Sequence, residues 1–183
     1  MKPNTVGRVE RREASAHPPA HPDSLLGATP HSFDDTSQDV GLSWDTILLT
    51  AEGEQPVQMI SPGDRIITRD SGFVRLTGMR SIRVMTRAIY FTAGSLGDTR
   101  PDCDLILPAG QQVLIRDWRA RALFGQSEAL VRADALPDKE FVRDLGEMEM
   151  ELFQPEFEAP HVIYAGGLEL GCPGTQQHLR PAA

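Results

Sequence analysis

The sequence predicts an all-β fold of short, twisted strands, and three features carry that prediction. Asp45–Asp70 alternates apolar runs with turns whose residues are chemically specified. Glu147–Phe153 sets Met148, Met150 and Leu152 against glutamates with a period of two, the pattern of a half-buried strand. Only Ala120–Phe124 reads as a helical turn.

Taken in order, Thr46–Thr50 is an apolar, Thr-rich strand broken at Glu52-Gly53-Glu54, and Val57–Ile60 resumes the apolar run. Ser61-Pro62-Gly63-Asp64 puts Pro second and Gly third, as a type II turn requires. Asp64 there is expected to be a structural carboxylate that accepts backbone amides. Arg65–Thr68 is the next strand, closed by Asp70-Ser71-Gly72. Phe73–Thr77 and Ser81–Met85 follow as strands around Gly78, then Ala88–Thr92. Ala93–Cys103, rich in Gly, Asp, Pro and Thr, reads as a loop. Asp104–Leu107 and Gln112–Arg116 flank a turn at Pro108-Ala109-Gly110-Gln111. A strand at Ala129–Arg132 follows the helical turn, and His161–Ala165 is the last strand before Gly166-Gly167.

The 183 residues suit one domain with a tail, and 40% hydrophobic with 24% charged residues is ordinary for a globular chain. A net charge of -8 argues against a nucleic-acid partner, because phosphate binding needs a basic face. Arg75, Arg80, Arg83 and Arg87 read instead as a solvated strand face, as does the acidic stretch from Asp138 to Glu158. No run is long enough for a membrane span, and Met1–Ala20 lacks the apolar core of a Sec signal. The expected location is cytoplasmic, with non-Sec export left open. Cys103 and Cys172 are expected to be unpaired buried thiols, and neither has a neighbouring His with which to hold zinc. Met79, Met85, Met148 and Met150 are expected to fill the core, and Trp118 to lie on the surface against Arg stems.

Residues 1–39 are poor in apolar periodicity and rich in Pro, His, Ser and Asp, so they are expected to form a disordered leader. Its apolar islet is Ser24-Leu25-Leu26. The domain is expected at residues 40–175, with a C-terminal tail at 176–183.

The opening block resembles a known family. Its pattern T-x-x-T-x-x-G-E-x-P-V-x-x-L-x-P-G-D-x-V-x-T-R-D-x-G is matched by Thr46, Thr50, Gly53, Glu54, Pro56, Val57, Ile60, Pro62, Gly63, Asp64, Ile66, Thr68, Arg69, Asp70 and Gly72. This is similar to the start of Hint (hedgehog/intein) self-processing domains, above all the bacterial hedgehog/intein-like type. Asp104–Val131 and Pro160–Glu169 supply two further blocks in the family's order. The resemblance implies a compact Hint-like β fold. It also implies a chemistry in which a Cys, Ser or Thr attacks the preceding carbonyl and a His protonates the departing amine.

On the positions that the resemblance assigns, the chemistry is incomplete. The nucleophile position falls at Gly41, which has no side chain, and the nearest hydroxyl is Ser43. Ser43 is read as a strand-entry serine bonded to local backbone, with an N-to-O acyl shift at the Leu42–Ser43 peptide as the alternative. Thr46, which opens the first strand, is a second weak candidate. Gln111 stands where the histidine is expected, and an amide exchanges no proton near neutral pH. His161 begins a strand beside the third-block position and is read as structural. Asn4 is the only asparagine, so splicing by asparagine cyclisation is not expected. The sequence calls for no cofactor and no metal. It predicts a degenerate Hint-like domain without autocleavage, acting as an interaction or scaffolding module for a protein partner it does not identify. The alternative is an active autoprotease using Ser43.

Overall fold

The computed structural model describes residues 39–175, so the leader and tail expectations lie outside the described residues. The described residues form twelve strands and one short α-helix: β1 (Leu42–Ser43), β2 (Ile47–Thr50), β3 (Gly53–Pro56), β4 (Arg65–Thr68), β5 (Gly72–Arg75), β6 (Gly78–Phe91), β7 (Leu105–Pro108), β8 (Gln112–Ile115), α1 (Trp118–Phe124), β9 (Ala129–Arg132), β10 (Val142–Glu156), β11 (His161–Ala165) and β12 (Leu168–Cys172). The all-β expectation holds. One sheet has the order β1-β10-β6-β7. The other runs β3-β2-β4-β11-β12-β8-β9, with β5 on β4.

Local turn chemistry builds the first half. Thr50 Oγ1 donates to the Gly53 carbonyl at 2.7 Å and accepts from the Glu52 amide at 3.1 Å, which closes the β2–β3 hairpin. Gly63 has φ +101, and the Asp64 amide donates back to the Ser61 carbonyl at 3.1 Å, closing the expected Pro-Gly turn. Asp64 Oδ2 accepts from the Ser61 amide at 2.8 Å, the structural role expected of it. Asp117 caps α1 by accepting from the Arg119 amide, and Gly125 ends the helix in the left-handed region.

The structure corrects several expectations. Val57–Ile60 is no strand: Val57–Met59 is one 3-10 turn, and the strand lies earlier, at Gly53–Pro56. Pro56 at φ −64 and the Val57 amide bonded to the Thr46 carbonyl wind the chain so that, of the turn's three residues, Val57 alone is buried, with Ile60 next into the core. Ser81–Met85 and Ala88–Thr92 are one strand of 14 residues, because β10 pairs along its whole length. A bulge between Asp144 and Glu147 lets β10 bend, with Gly146 at φ +79. His161–Ala165 is not the last strand, since Gly166-Gly167 is a tight hairpin turn into β12. The turn expected at Pro108–Gln111 is present, the Gln111 amide donating to the Pro108 carbonyl at 3.0 Å, and it hands the chain from one sheet to the other. Met85 and Met148 are exposed, because they lie on the ribbon beyond the core, and Cys103 is exposed in the loop before β7.

The main core packs the large sheet against the inner ends of β6, β7 and β10, around Phe91, Leu107, Phe157 and Ile163. A second, smaller cluster of Ala88, Met150 and Leu152 sits inside the four-stranded sheet. This layout places the start of the described chain, the β7–β8 corner and the end of β12 side by side.

Candidate functional site

Gly41 and Gln111, seventy positions apart, meet here. The Gly41 amide donates to Gln111 Oε1 at 3.1 Å. Gln111 is 1% exposed, and its Nε2 donates to the carbonyls of Gly171 at 2.9 Å and Gln112 at 3.1 Å. These contacts fix the side-chain amide's orientation. Turned over, it would set its NH₂ against an N–H and its oxygen against two carbonyls.

The geometry of the Val40–Gly41 peptide follows from these contacts. Gln154 Nε2 donates to the Val40 carbonyl at 2.6 Å, so that carbonyl has a polarising donor. The amide nitrogen faces an acceptor with no proton to give. Position 41 offers no nucleophile. Of the three groups that acyl transfer needs, only the polarised carbonyl is supplied.

Ser43 lies on β1, and its hydroxyl donates to the Ile106 carbonyl at 2.9 Å and sits 3.2 Å from Thr46 Oγ1. Its backbone partner is therefore distant in sequence, not local as expected. Thr46 is 3% exposed and reinforces this corner through its amide, bonded to the Ser43 carbonyl. Neither hydroxyl shares a recorded hydrogen bond with Gln111 or His161.

His161 is 9% exposed, its Nδ1 lies 2.6 Å from Asp70 Oδ2, and its ring meets Phe157 edge-on. Burial acts to raise the Asp70 pKa. The Val162 amide at 2.9 Å, His161 and Ser71 outweigh it and hold the carboxyl below its usual 3.8. His161 also pairs across the sheet with Cys172, next to the Gly171 carbonyl that Gln111 holds. Burial pushes the Cys172 thiol up to about 12, so it is a packed, unreactive side chain. Sequence reasoning did not find Asp70, Gln154 or Gly171 as parts of this region. Their partners are far away along the chain, and only Asp70 lay in a quoted motif.

A second polar cluster flanks the region. Glu169 is 3% exposed and pairs with Arg69 at 3.0 Å, Arg100 at 3.1 Å and Arg116 at 2.9 Å. Arg69 also reaches Glu128 at 2.6 Å. Arg69 and Asp70 thus tie one turn into both clusters. Among the described residues, no group of three or more His, Cys, Asp and Glu is placed to hold a metal, and no helix is long and apolar enough to cross a membrane.

The fold and the meeting of Gly41 with Gln111 define a two-sheet β-domain with its first described residues packed against its last strands. Comparison with known families matches residues 40–171 to the Hint domain. The chain belongs to the Hint domain family. Among solved structures, it is similar to the bacterial intein-like domain from Clostridium thermocellum, at 12% identity and TM-score 0.48, covering 72% of this chain and 97% of that one. It is also similar to a DnaB intein from Synechocystis sp., at 13% identity and TM-score 0.48, with 72% and 97% covered. The gp41-1 intein matches at 13% identity and TM-score 0.46, over 72% and 97%. No curated protein matches the chain.

Proposed function

We propose that this protein is a degenerate Hint domain that does not cleave itself and serves as an interaction or scaffolding module for a protein partner. The observation that carries this reading is the Gly41–Gln111 contact. The position assigned to the nucleophile has no side chain, and the position assigned to the histidine accepts a hydrogen bond from the amide it would have to protonate. Losing the proton donor alone removes a factor of about 10²–10⁴ in rate. The autoprotease alternative lacks comparable support, because the Ser43 hydroxyl is bonded to Ile106 and Thr46 rather than to a base.

The proposed organisation is a leader at 1–39, the Hint domain at 40–175 and a tail at 176–183. Two free cysteines suit a reducing, cytoplasmic compartment. The test is the intact mass of the purified full-length chain, incubated overnight with dithiothreitol or hydroxylamine, which intercept esters. The proposed reading expects the mass to stay at 20.1 kDa. A fragment beginning at Ser43, abolished by Ser43→Ala, would establish the autoprotease instead.

A further inference from the structure

The ribbon of β6 and β10 has one edge that no described residue fills. β7 pairs with β6 only over Ala88–Phe91, and the Ala109 amide donates to the Arg87 carbonyl at 2.8 Å on that side. From Arg87 back to Gly78, β6 is paired with β10 alone among the described residues. Arg87 faces the β7 side, and pairing groups alternate along an antiparallel strand. The N–H and C=O groups of Ser81, Arg83 and Met85 therefore point out from the sheet. The open stretch over Met79–Thr86 is about 27 Å long.

The two faces beside this edge differ in chemistry. Ser81, Arg83, Met85 and Arg87 share one face by alternation and are exposed. Ile82 and Val84 lie on the other, partly buried against the cluster of Ala88, Met150 and Leu152. The Arg83 side chain is 73% exposed and reaches Glu151 only at 3.9 Å, so its charge is open to a second partner.

On its filled side, β6 shows what sequence it accepts. β10 sets Glu147 opposite Arg87 and Glu151 opposite Arg83, and on the other face Met150 opposite Val84 and Leu152 opposite Ile82. A strand on the open side meets the same two faces, so it needs the same alternation of acidic and apolar residues. A second copy of this chain does not supply it. Two β6 edges paired about a two-fold axis bring Arg80, Arg83 and Arg87 of each strand to one seam, and β6 has no acidic residue to offset them. The outer edge of a second copy's β10 has the pattern, but it brings that copy's own β6 and large sheet to within about 10 Å, two strand spacings.

We propose that the open edge of β6 takes an extended segment of another protein, alternating acidic and apolar residues, as an added strand over Ser81–Met85. The site gives the interaction-module reading its partner class and rests on the protein partner in that reading, not on the loss of cleavage.

The experiment titrates the full-length chain into a fluorescently labelled peptide with the sequence of Glu147–Phe153 and reads anisotropy. Saturable binding is expected, and a peptide with its three glutamates replaced by lysine is expected not to bind. Arg83→Pro removes an outward N–H and none of the backbone bonds to β10. It is expected to leave far-UV circular dichroism unchanged and to weaken the peptide about tenfold or more. Arg83→Glu with Arg87→Glu keeps the backbone groups, is expected to weaken binding by about the same factor, and decides the matter if the proline disturbs the fold. No saturable binding by wild type, or wild-type affinity in either folded variant, would overturn the proposal. Intact mass of the same samples reads cleavage separately. An intact chain that ignores the peptide sinks the edge site alone, and a cleaved chain that binds it sinks only the non-cleaving reading.

Discussion

Replacing Glu169 by Gln keeps the shape of a fully enclosed side chain and removes its charge, which makes it the most telling single test of how this fold is held. Three guanidiniums converge on that carboxylate at 2.9–3.1 Å. At such distances, and with an effective dielectric constant of about 20, each attraction is about 5 kcal/mol. Desolvating the carboxylate costs several kcal/mol, and the arginines repel one another, so the sum is far below three times that figure. Removing one partner of a buried pair typically costs about 3–5 kcal/mol. The arginines here retain 19–39% exposure, which lets water screen what remains, so the expected loss is about 2–4 kcal/mol. Urea denaturation followed by far-UV circular dichroism measures it, with an unchanged m-value showing that the unfolding reaction is the same. Arg116→Gln, which removes the most exposed of the three, should cost under about 1 kcal/mol. A Glu169→Gln loss under about 0.5 kcal/mol, the range of ordinary surface changes, would refute the view that this cluster clamps β12 to the β4–β5 turn.

Asp70→Asn should flatten the acid limb of stability. The folded carboxyl lies below its usual 3.8, so between those two values the unfolded chain binds more protons and stability rises with pH. The contribution is present above 3.8 and is lost as pH falls through the folded value; urea midpoints of wild type and variant that fall in parallel below pH 3.8 would contradict this. Gly63→Val should cost about 1–3 kcal/mol, all of it from the φ of +101, because a Cβ there meets only Arg75 Nη1 at 3.6 Å. Gly63→Asn should be milder, since Asn tolerates positive φ, and a valine variant as stable as wild type would mean that strain at this turn is not felt.

What was legible in the sequence is what short-range chemistry decides. The Pro62-Gly63 turn, β4, β9 and the start of β11 follow from turn residues and β-rich runs that need no distant partner. Strand lengths were not legible in β6 and β10, because their extent is set by each other's pairing. β12 was missed although Gly166-Gly167 is a hairpin signal and Leu168-Glu169-Leu170 alternates, since a Glu and a Gly within five residues are weak strand formers and their burial comes from pairing with β11 and β8. The site divided in the same way. The family blocks pointed to positions 41 and 111, but the bonds from Gln111 to Gly171 and from Asp70 to His161 span 60 and 91 positions. Nothing in a local pattern encodes them.

The Gly41–Gln111 contact also shows why, on the proposed reading, the loss of chemistry runs deeper than two side chains. Gly41 has φ +149, and a Cβ built on it would lie 3.0 Å from the Phe153 carbonyl oxygen and 3.1 Å from Leu152 Cβ. A nucleophile at 41 would therefore strain its own backbone and press on β10, whose residues at that point are partners of β1. Gln111 meanwhile satisfies three polar groups at once: the Gly41 amide and the carbonyls of Gly171 and Gln112. An imidazole has two ring nitrogens and cannot make all three of these bonds. Packing at 41 and hydrogen bonding at 111 thus both favour the present residues over the catalytic ones. The contact joins the first described residues to the β7–β8 corner and the end of β12, so what a self-processing domain would break is, in this protein, a tie between elements of its fold.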